Sequence, residues 1–266
     1  MDYTGQTALI TGASAGIGAG YARDLARRGA DLILVARRED KLEALAVELR
    51  AEHGRKVDVL AADLSAEGAA RELVARVDAL GRTVDVLVNN AGIGTQGLIA
   101  ETDPERLVAQ VQLNCVAVVD LTARLLPGMV ERGQGTVVNV ASGAAFQPMP
   151  HLAVYGATKA FVLSFSEALW AEVKPKGVRV IAVCPGATQT EFFEANGTEV
   201  VTASGMRTPE DVVKTTLAGL RRRRPSVVDG TLNTMLAFLP RLMPRRVSIA
   251  VAERVARPSK PKTTVS

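Results

Sequence analysis

The stretch Thr11-Gly12-Ala13-Ser14-Ala15-Gly16-Ile17-Gly18 lies between an apolar run at 8–11 and a segment whose apolar residues recur with helical spacing. Glycines in such a turn let the backbone bend tightly and approach a pyrophosphate, whose charge is met by backbone N–H groups and the dipole of the following helix. After a strand and before a helix, this spacing predicts a dinucleotide-binding turn, although a tight turn alone is the other interpretation. The residues expected to contact the dinucleotide are Gly12, Ser14, Gly16, Ile17 and Gly18.

Short apolar runs alternate with longer segments of helical period along the chain. The runs are 8–11, 32–36, 57–61, 84–89, 136–140 and 178–184, and the helical segments are 17–29, 39–53, 66–81, 104–132 and 155–174. Each run is apolar on both faces, which is typical of strands in a parallel sheet covered by helices. The sequence therefore predicts a doubly wound α/β fold, with its ligand crevice at the carboxyl ends of the strands.

The composition favours one soluble globular domain. Of the 266 residues, 47% are hydrophobic, which is enough for one sizeable core. The N-terminal residues lack the order of a signal peptide, and no apolar run approaches the ~18 residues of a membrane span. Cys115 and Cys184 are too few for a disulfide framework, and His53 and His151 lack metal-site spacing. We expect a cytoplasmic protein without a metal.

The charge is distributed unevenly. Residues 221–266 carry nine Arg and two Lys against Asp229 and Glu253, a net charge of +9 in a chain whose total is +4. The remaining residues are therefore mildly acidic. The run Arg221 to Arg224 is interpreted as a solvated helix end and not as a nucleic-acid site, because cations are favourable at that end of the helix dipole.

The last part of the chain forms an extension to a catalytic domain predicted at 1–230. In the segment 231–256, apolar residues lie on one broad face, and Pro240 and Pro244 divide it into two short helices. This basic amphipathic segment has three open interpretations: it docks on the body or a second subunit, covers the substrate entrance, or touches an anionic membrane surface. Residues 257–266 are predicted to be disordered.

Two arginines, Arg37 and Arg38, follow the second predicted strand. A site that prefers NAD usually has an acidic residue there, which binds the adenosine ribose. A guanidinium group instead matches a phosphate in charge and geometry, so the sequence predicts a preference for NADP(H) over NAD(H). Solvated arginines at a helix start are the alternative.

Polar and small residues also follow the third and fourth predicted strands. Asp63 and Leu64 follow the third strand, and Asn90, Ala91 and Gly92 follow the fourth. Asp63 is placed to bind the adenine amino group, and the small residues leave room beside the cofactor. Such residues are also ordinary in turns, but their recurrence at successive strand ends favours cofactor binding.

Tyr155 and Lys159 are four residues apart and lie on one face of a predicted helix. A lysine ammonium and the charge of an oxidised nicotinamide would lower the pKa of the tyrosine, which is ~10 in the free amino acid. Tyr155 would then act as a general acid or base. Ser142, after the fifth strand, is placed to donate a hydrogen bond to a substrate carbonyl, although a turn serine is its other interpretation.

Asn114 lies inside the segment 104–132, where a short polar side chain is unfavourable in a helix. A kink at this residue, with a water molecule held beside Lys159, would give the proton a route to solvent. An asparagine without a functional role is the equally open alternative.

Taken together, these elements resemble the short-chain dehydrogenase/reductase family over about residues 6–230. The matching elements are Thr-Gly-x-x-x-Gly-x-Gly at 11–18, Asn-Asn-Ala-Gly at 89–92, Asn114, Ser142, Tyr155-x-x-x-Lys159 and Pro185-Gly186. The resemblance implies a seven-stranded Rossmann fold, a homodimer or homotetramer, and a catalytic tetrad of Asn114, Ser142, Tyr155 and Lys159.

The resemblance also implies roles for the nicotinamide end of the site. Lys159 would bind the nicotinamide ribose, and Thr188 and Thr190, after Pro185 and Gly186, would hold the carboxamide. Acyl-carrier reductases of the family often have a basic residue in the glycine motif, where this chain has Ala15.

The predicted function is NADPH-dependent reduction of a ketone or aldehyde, or oxidation of the alcohol. The segment 144–150, with Phe192 and Phe193, would line a mostly apolar substrate side, which favours a lipophilic substrate. The loop 190–208 is either a lid or a plain surface connection. A non-catalytic NADP-binding protein that senses redox state or acts as a scaffold is the alternative function.

Overall fold

The computed structural model describes residues 1–192 and 205–257. Within them, a seven-stranded parallel sheet has the order β3-β2-β1-β4-β5-β6-β7. The strands are β1 (Thr7–Thr11), β2 (Asp31–Ala36), β3 (Val57–Ala61), β4 (Val86–Asn89), β5 (Gly135–Val140), β6 (Val178–Cys184) and β7 (Ser226–Val228). This arrangement confirms the predicted doubly wound fold. The strand order reverses between β1 and β4, so a crevice is expected at their carboxyl ends.

Helices cover both faces of the sheet. They are α1 (Gly16–Arg27), α2 (Glu39–His53), α3 (Ala69–Ala79), α4 (Pro104–Val111), α5 (Ala117–Glu131), α6 (Ala153–Val173), α7 (Pro209–Arg221), α8 (Thr231–Phe238) and α9 (Arg245–Ala256). Ile10 of β1 belongs to the apolar core beneath α1, α2 and α7. Its neighbour Leu9 belongs to the core beneath α3, α5 and α6. Successive strand residues point to opposite faces, so each run is apolar throughout.

Local signals explain where two of the helices begin. Asp103 caps α4 by accepting a hydrogen bond from the Glu105 backbone N–H at 3.1 Å, and Pro104 occupies the first turn. Thr208 and Asp211 form a reciprocal capping box at α7. Among the strands, the sequence prediction overlooks β7, because three residues are too short to stand out as an apolar run. The predicted helical segments also omit α7.

The predicted helix at 104–132 is interrupted at Asn114. A π-helical turn spans Gln112–Val116 and joins α4 to α5. A π turn inserts one residue into the helical ladder and is common at functional sites. The whole segment Pro104–Glu131 is long and apolar enough to cross a membrane by length and composition, although it contains no uninterrupted apolar run of that length. One such helix is weak evidence for a membrane span, because core helices of soluble proteins pass the same test, and 39% of its apolar window is buried.

The extension forms α8, a 3₁₀ turn at Leu239–Leu242, and α9. Pro240 and Pro244 lie between the two helices, as the sequence predicts. Gln96 Nε2 donates a 2.8 Å hydrogen bond to the Ala256 carbonyl and so connects the end of α9 to the loop after β4. The tail predicted to be disordered lies, from residue 258 onward, outside the described residues.

Candidate active site

A cavity of about 760 Å³ lies at the carboxyl ends of the strands and contains both halves of the predicted site. The predicted residues that line it are Gly12, Ser14, Gly16, Ile17, Arg37, Arg38, Asp63, Leu64, Asn90, Ala91, Gly92, Ser142, Tyr155, Lys159, Pro185, Gly186, Thr188 and Thr190. Two predicted residues, Gly18 and Asn114, lie behind its wall. The topology thus brings residues about 140 positions apart into one space.

The glycines of the turn are required by close packing. Gly12 has a positive φ of 66°, and a Cβ atom there would lie 2.7 Å from Asn90 Nδ2. A Cβ on Gly18 would lie 2.2 Å from the Gly12 carbonyl oxygen. Gly18 therefore serves the packing of α1 against the turn, which explains why it does not line the cavity.

Thr11 and Asn90 join the glycine turn to the loop after β4. The Thr11 hydroxyl accepts hydrogen bonds from the backbone N–H groups of Asn90 and Ala91, both at 3.0 Å. The Asn90 side-chain amide donates to the carbonyls of Thr11 at 2.9 Å and Gly12 at 3.2 Å. Asn90 therefore holds the shape of the turn, a role that the sequence alone does not reveal.

The N-terminus of α1 suits an anionic ligand. Among the described residues, no side chain caps this helix, and its first turn contains no acidic residue. The first N–H groups of a helix lack partners within it and carry the positive end of its dipole. The glycine turn that precedes them gives close backbone access, so these residues fit the pyrophosphate of a dinucleotide.

A basic cluster lies at the cavity beside the glycine turn. Arg38 donates one guanidinium hydrogen bond to Ser14 Oγ at 3.1 Å and another to Glu191 at 2.7 Å, and Lys41 Nζ also contacts Glu191 at 2.7 Å. Arg37 lines the same region. Lys41 and Glu191 are not in the sequence prediction. Lys41 lies one turn after Arg37 and Arg38, a spacing that indicates a shared face, whereas Glu191 is brought in only by the fold.

The Tyr155 side chain lines the cavity beside Ser142. Burial raises its pKa above 10, and a hydrogen bond with the Ser142 side chain lowers it by less. The predicted lowering of this pKa depends on Lys159 together with the charge of an oxidised nicotinamide, and in the protein alone burial outweighs any lowering. The cause is geometric, since Lys159 Nζ lies 5.9 Å from the centre of the tyrosine ring and burial dominates.

Lys159 is a buried cation. Its Nζ donates a 2.8 Å hydrogen bond to the Val140 carbonyl at the end of β5. Burial lowers its pKa to about 8, so the side chain remains mostly protonated at neutral pH. The positive charge that the sequence predicts beside Tyr155 is therefore present, and the ammonium group donates its hydrogen bond to the backbone at Val140.

Asn114 holds the loop after β4 in place. Its side chain accepts a hydrogen bond from Ile93 N at 3.0 Å and donates to Ile93 O at 2.9 Å and Thr158 Oγ1 at 3.0 Å. A Cβ on Gly92 would lie 3.2 Å from Asn114 Oδ1 and 3.4 Å from Lys159 Nζ. The predicted kink is present as the π turn, and the observed contacts of Asn114 are those of a positioning residue.

The segment after β6 borders the cavity from Pro185 to Phe192. Gln189 N donates to Arg207 O at 2.8 Å, and Arg207 N donates to Ala187 O at 3.0 Å, which fixes the base of the loop 190–208. The Phe192 ring packs against Tyr155, with 5.7 Å between ring centres. Phe193 and the rest of the loop to residue 204 lie outside the described residues.

The extension forms part of the cavity wall. The extension residues that line it are Asn233, Leu236, Leu239, Pro240, Met243, Ser248 and Val251. Ser248 is 4% exposed, and its hydroxyl has no hydrogen-bond partner among the described residues. The segment 144–150 is predicted to line the substrate side, but only Ala144 and Gln147 of its residues line the cavity. This wall is mostly apolar, and its polar residues are Gln147, Asn233 and Ser248.

The model of the short chain dehydrogenase family matches residues 6–200. The chain belongs to the short-chain dehydrogenase/reductase family. Human (Homo sapiens) 17-beta-hydroxysteroid dehydrogenase type 3 is 34% identical over 215 residues, which are 80% of this chain and 67% of that protein. The chain spans 61–67% of the length of the first curated relatives it matches. The predicted family and enzyme class, a dehydrogenase/reductase, are confirmed.

Two solved structures have the same fold. The short-chain dehydrogenase from Sphingobium yanoikuyae, solved in complex with NADPH, is 39% identical, with a TM-score of 0.80 over 85% of this chain and 88% of that chain. The bulky-bulky ketone specific alcohol dehydrogenase from Comamonas testosteroni is 35% identical, with a TM-score of 0.75 over 84% of this chain and 85% of that chain.

Proposed function

We propose that the protein is an NADPH-dependent reductase of a lipophilic ketone or aldehyde, which also catalyses the reverse oxidation of the alcohol. The observation that carries this proposal is the single cavity in which the glycine turn and basic cluster face the same space as Ser142, Tyr155 and Lys159. A non-catalytic redox sensor or scaffold, the alternative function, does not require these three side chains together.

The side chains divide the chemistry between them. When bound, NADPH supplies the hydride. The Tyr155 hydroxyl, which burial keeps protonated at neutral pH, donates its proton to the substrate oxygen as that oxygen gains negative charge. Ser142 donates a hydrogen bond to the same oxygen, and the Lys159 ammonium stabilises the tyrosinate that remains. Asn114 keeps the loop beside Lys159 in place through Ile93.

We propose that NADPH is preferred over NADH because Arg37 and Arg38 lie where an acidic residue would bind the ribose. We expect Arg37→Ala to raise the KM for NADPH about tenfold or more, since a charge-assisted hydrogen bond contributes about 1.5–3 kcal/mol. The KM for NADH should change much less. Steady-state kinetics with both cofactors provide the measurement, with Arg71→Ala as a control outside the cavity. Equal changes for the two cofactors would argue against phosphate recognition by Arg37.

Two observations support a lipophilic substrate. The extension gives the cavity an apolar wall. The similar enzyme from Comamonas testosteroni is described as a bulky-bulky ketone specific alcohol dehydrogenase. NADPH consumption over ketones and aldehydes of graded chain length tests this proposal, because the apolar wall should raise kcat/KM with size. Failure to consume NADPH across the panel would favour the non-catalytic alternative.

We also propose that the protein is cytoplasmic and touches membranes weakly through residues 231–256. Met235 and Leu242 are 70% and 84% exposed, and Arg241 lies beside Leu242. An exposed apolar surface next to arginines suits an anionic lipid interface. The same extension lines the cavity, so a lipophilic substrate would have a short path from the lipid.

Vesicle binding tests the membrane proposal. We expect Leu242→Asp to reduce co-sedimentation with phosphatidylserine-containing vesicles about tenfold, because burying a leucine contributes about 1.5–3 kcal/mol. Val47→Asp is the matched control, since Val47 is 62% exposed on α2, away from the extension. Equal losses in the two variants, or no binding by the unaltered protein, would remove the membrane role.

We propose a homodimer or homotetramer, as the family resemblance implies. Val108 and Val111 on α4 and Phe161 on α6 are 41–54% exposed, and these apolar side chains offer a surface for a second copy. Light scattering coupled to size-exclusion chromatography measures the mass, and a monomer at micromolar concentration would contradict the proposal.

A further inference from the structure

The side chain of Glu191 occupies the centre of the basic cluster. Its two carboxylate oxygens each accept one hydrogen bond, from Arg38 Nη1 and Lys41 Nζ, both at 2.7 Å. Arg38 also contacts Ser14 Oγ of the glycine turn. The carboxylate thus binds Arg38, one of the two arginines that the proposed function assigns to the 2′-phosphate group of NADPH, together with the neighbouring Lys41. Glu191 lines the same cavity.

We propose that the Glu191 carboxylate occupies the 2′-phosphate site when no cofactor is bound and competes with the phosphate for Arg38 and Lys41. Glu191 would thereby set the affinity and selectivity of the protein for phosphorylated cofactors. This inference rests on the proposed preference for NADPH. A carboxylate and a phosphate present similar oxygen acceptors to a guanidinium group. The two anions therefore compete for Arg38 and Lys41, and the phosphate must displace the carboxylate to bind there.

The balance of charges determines which anion prevails. A phosphate monoester carries about −1.5 to −2 charges at neutral pH and three acceptor oxygens, whereas Glu191 carries a single negative charge. The Glu191, Arg38 and Lys41 side chains are 40–47% exposed, and exposed ion pairs contribute little to stability. The 2′-phosphate of NADPH can therefore displace the Glu191 carboxylate at a modest cost in affinity. NADH lacks this phosphate and has no group that competes with Glu191 for Arg38 and Lys41.

The fold positions Glu191 for this contact. Two residues before it, Gln189 is hydrogen-bonded to Arg207, and one residue after it, Phe192 packs against Tyr155. The short segment therefore reaches from the basic cluster to the catalytic tyrosine. Hydrogen bonds from Lys41 and Arg38 also lower the pKa of Glu191, so the carboxylate stays ionised throughout the neutral range.

Calorimetric titration with 2′,5′-ADP and 5′-AMP tests the inference without turnover. We expect Glu191→Gln to bind 2′,5′-ADP about three- to tenfold more tightly than the unaltered protein, as the loss of two exposed ion pairs predicts. Binding of 5′-AMP, which lacks the 2′-phosphate, should change by less than about twofold. Glu43→Gln is the matched control, because Glu43 pairs with Arg50 on the same helix and does not line the cavity.

The outcomes separate the inference from the proposed function. If the unaltered protein binds the two nucleotides equally, the NADPH preference fails and the inference with it. If 2′,5′-ADP is preferred but Glu191→Gln leaves its affinity unchanged, the preference stands and competition by Glu191 is wrong. Weaker binding by Glu191→Gln would mean that the carboxylate assists the bound nucleotide, which also overturns the inference. Glu191→Asp, whose shorter side chain keeps the charge, should lie between the two proteins.

Discussion

Tyr155→Phe is expected to reduce kcat/KM for carbonyl reduction by a factor of about 10²–10⁴, the usual contribution of a positioned general acid. The substitution removes the hydroxyl proton and keeps the ring that packs against Phe192. NADPH binding, measured by calorimetry, should remain close to that of the unaltered protein. Stopped-flow or steady-state NADPH consumption with the best substrate of the panel gives the rate.

Tyr21→Phe is the matched control for this experiment. Tyr21 is also buried and hydrogen-bonded, to Thr216 at 2.6 Å, but it does not line the cavity. Because burial raises the pKa of Tyr155 above its ordinary value, the acid form persists throughout the neutral range, and reduction should show no loss from tyrosine ionisation there. A Tyr155→Phe variant with more than about a tenth of the normal activity would show that another group delivers the proton.

Lys159→Met is expected to combine a large loss of activity with a gain in stability. Reduction should slow by about 10²-fold or more, because the tyrosinate loses its neighbouring positive charge. The buried ammonium has a pKa of about 8 against 10.5 in the free residue, which corresponds to a burial cost of about 3 kcal/mol at pH 7. The variant removes that cost and loses the hydrogen bond to the Val140 carbonyl, worth about 1 kcal/mol.

The stability difference should depend on pH in a defined window. Between about pH 8 and 10.5, the unfolded chain binds more protons at Lys159 than the native protein does, so the free energy of unfolding of the unaltered protein rises with pH. The advantage of Lys159→Met is therefore complete below pH 8 and disappears as the pH rises through this window. Urea unfolding of both proteins from pH 7 to 9.5 measures it, with Lys214→Met, at an exposed position, as control. A constant difference would disprove the burial cost.

Local sequence patterns predict most of the fold. The strands are apolar on both faces and the capped helix at Pro104 is predicted, so spacing and capping chemistry specify these elements without tertiary information. The capping box before Pro209 carries the same kind of signal, but the helix that follows it is not among the predicted segments. β7 is overlooked because its three residues depend on pairing with β6. In the site, Arg37, Arg38, Ser142 and Tyr155 can be found because each follows or begins a recognisable element.

The features that the sequence cannot reveal depend on contacts between distant segments. Glu191 lies about 150 positions after Arg38 and carries no motif, so only the folded chain brings them together. The upward pKa shift of Tyr155 depends on burial, which the spacing of Tyr155 and Lys159 does not predict. The unpartnered hydroxyl of Ser248 depends on how α9 packs over the cavity.

Residues 231–256 line the cavity on the substrate side, so substrate contacts and the proposed cofactor and proton-transfer contacts come from different parts of the chain. All the residues that hold the cofactor or move the proton in the proposed mechanism precede residue 193, whereas Leu236, Met243, Ser248 and Val251 come from the end of the chain. Mutations in this terminal segment can therefore reshape the space for substrate while leaving the hydride and proton path intact. The segment is thus a natural unit for recombination, and chimeras that exchange it between related enzymes offer a route to new ketone preferences on one unchanged catalytic core.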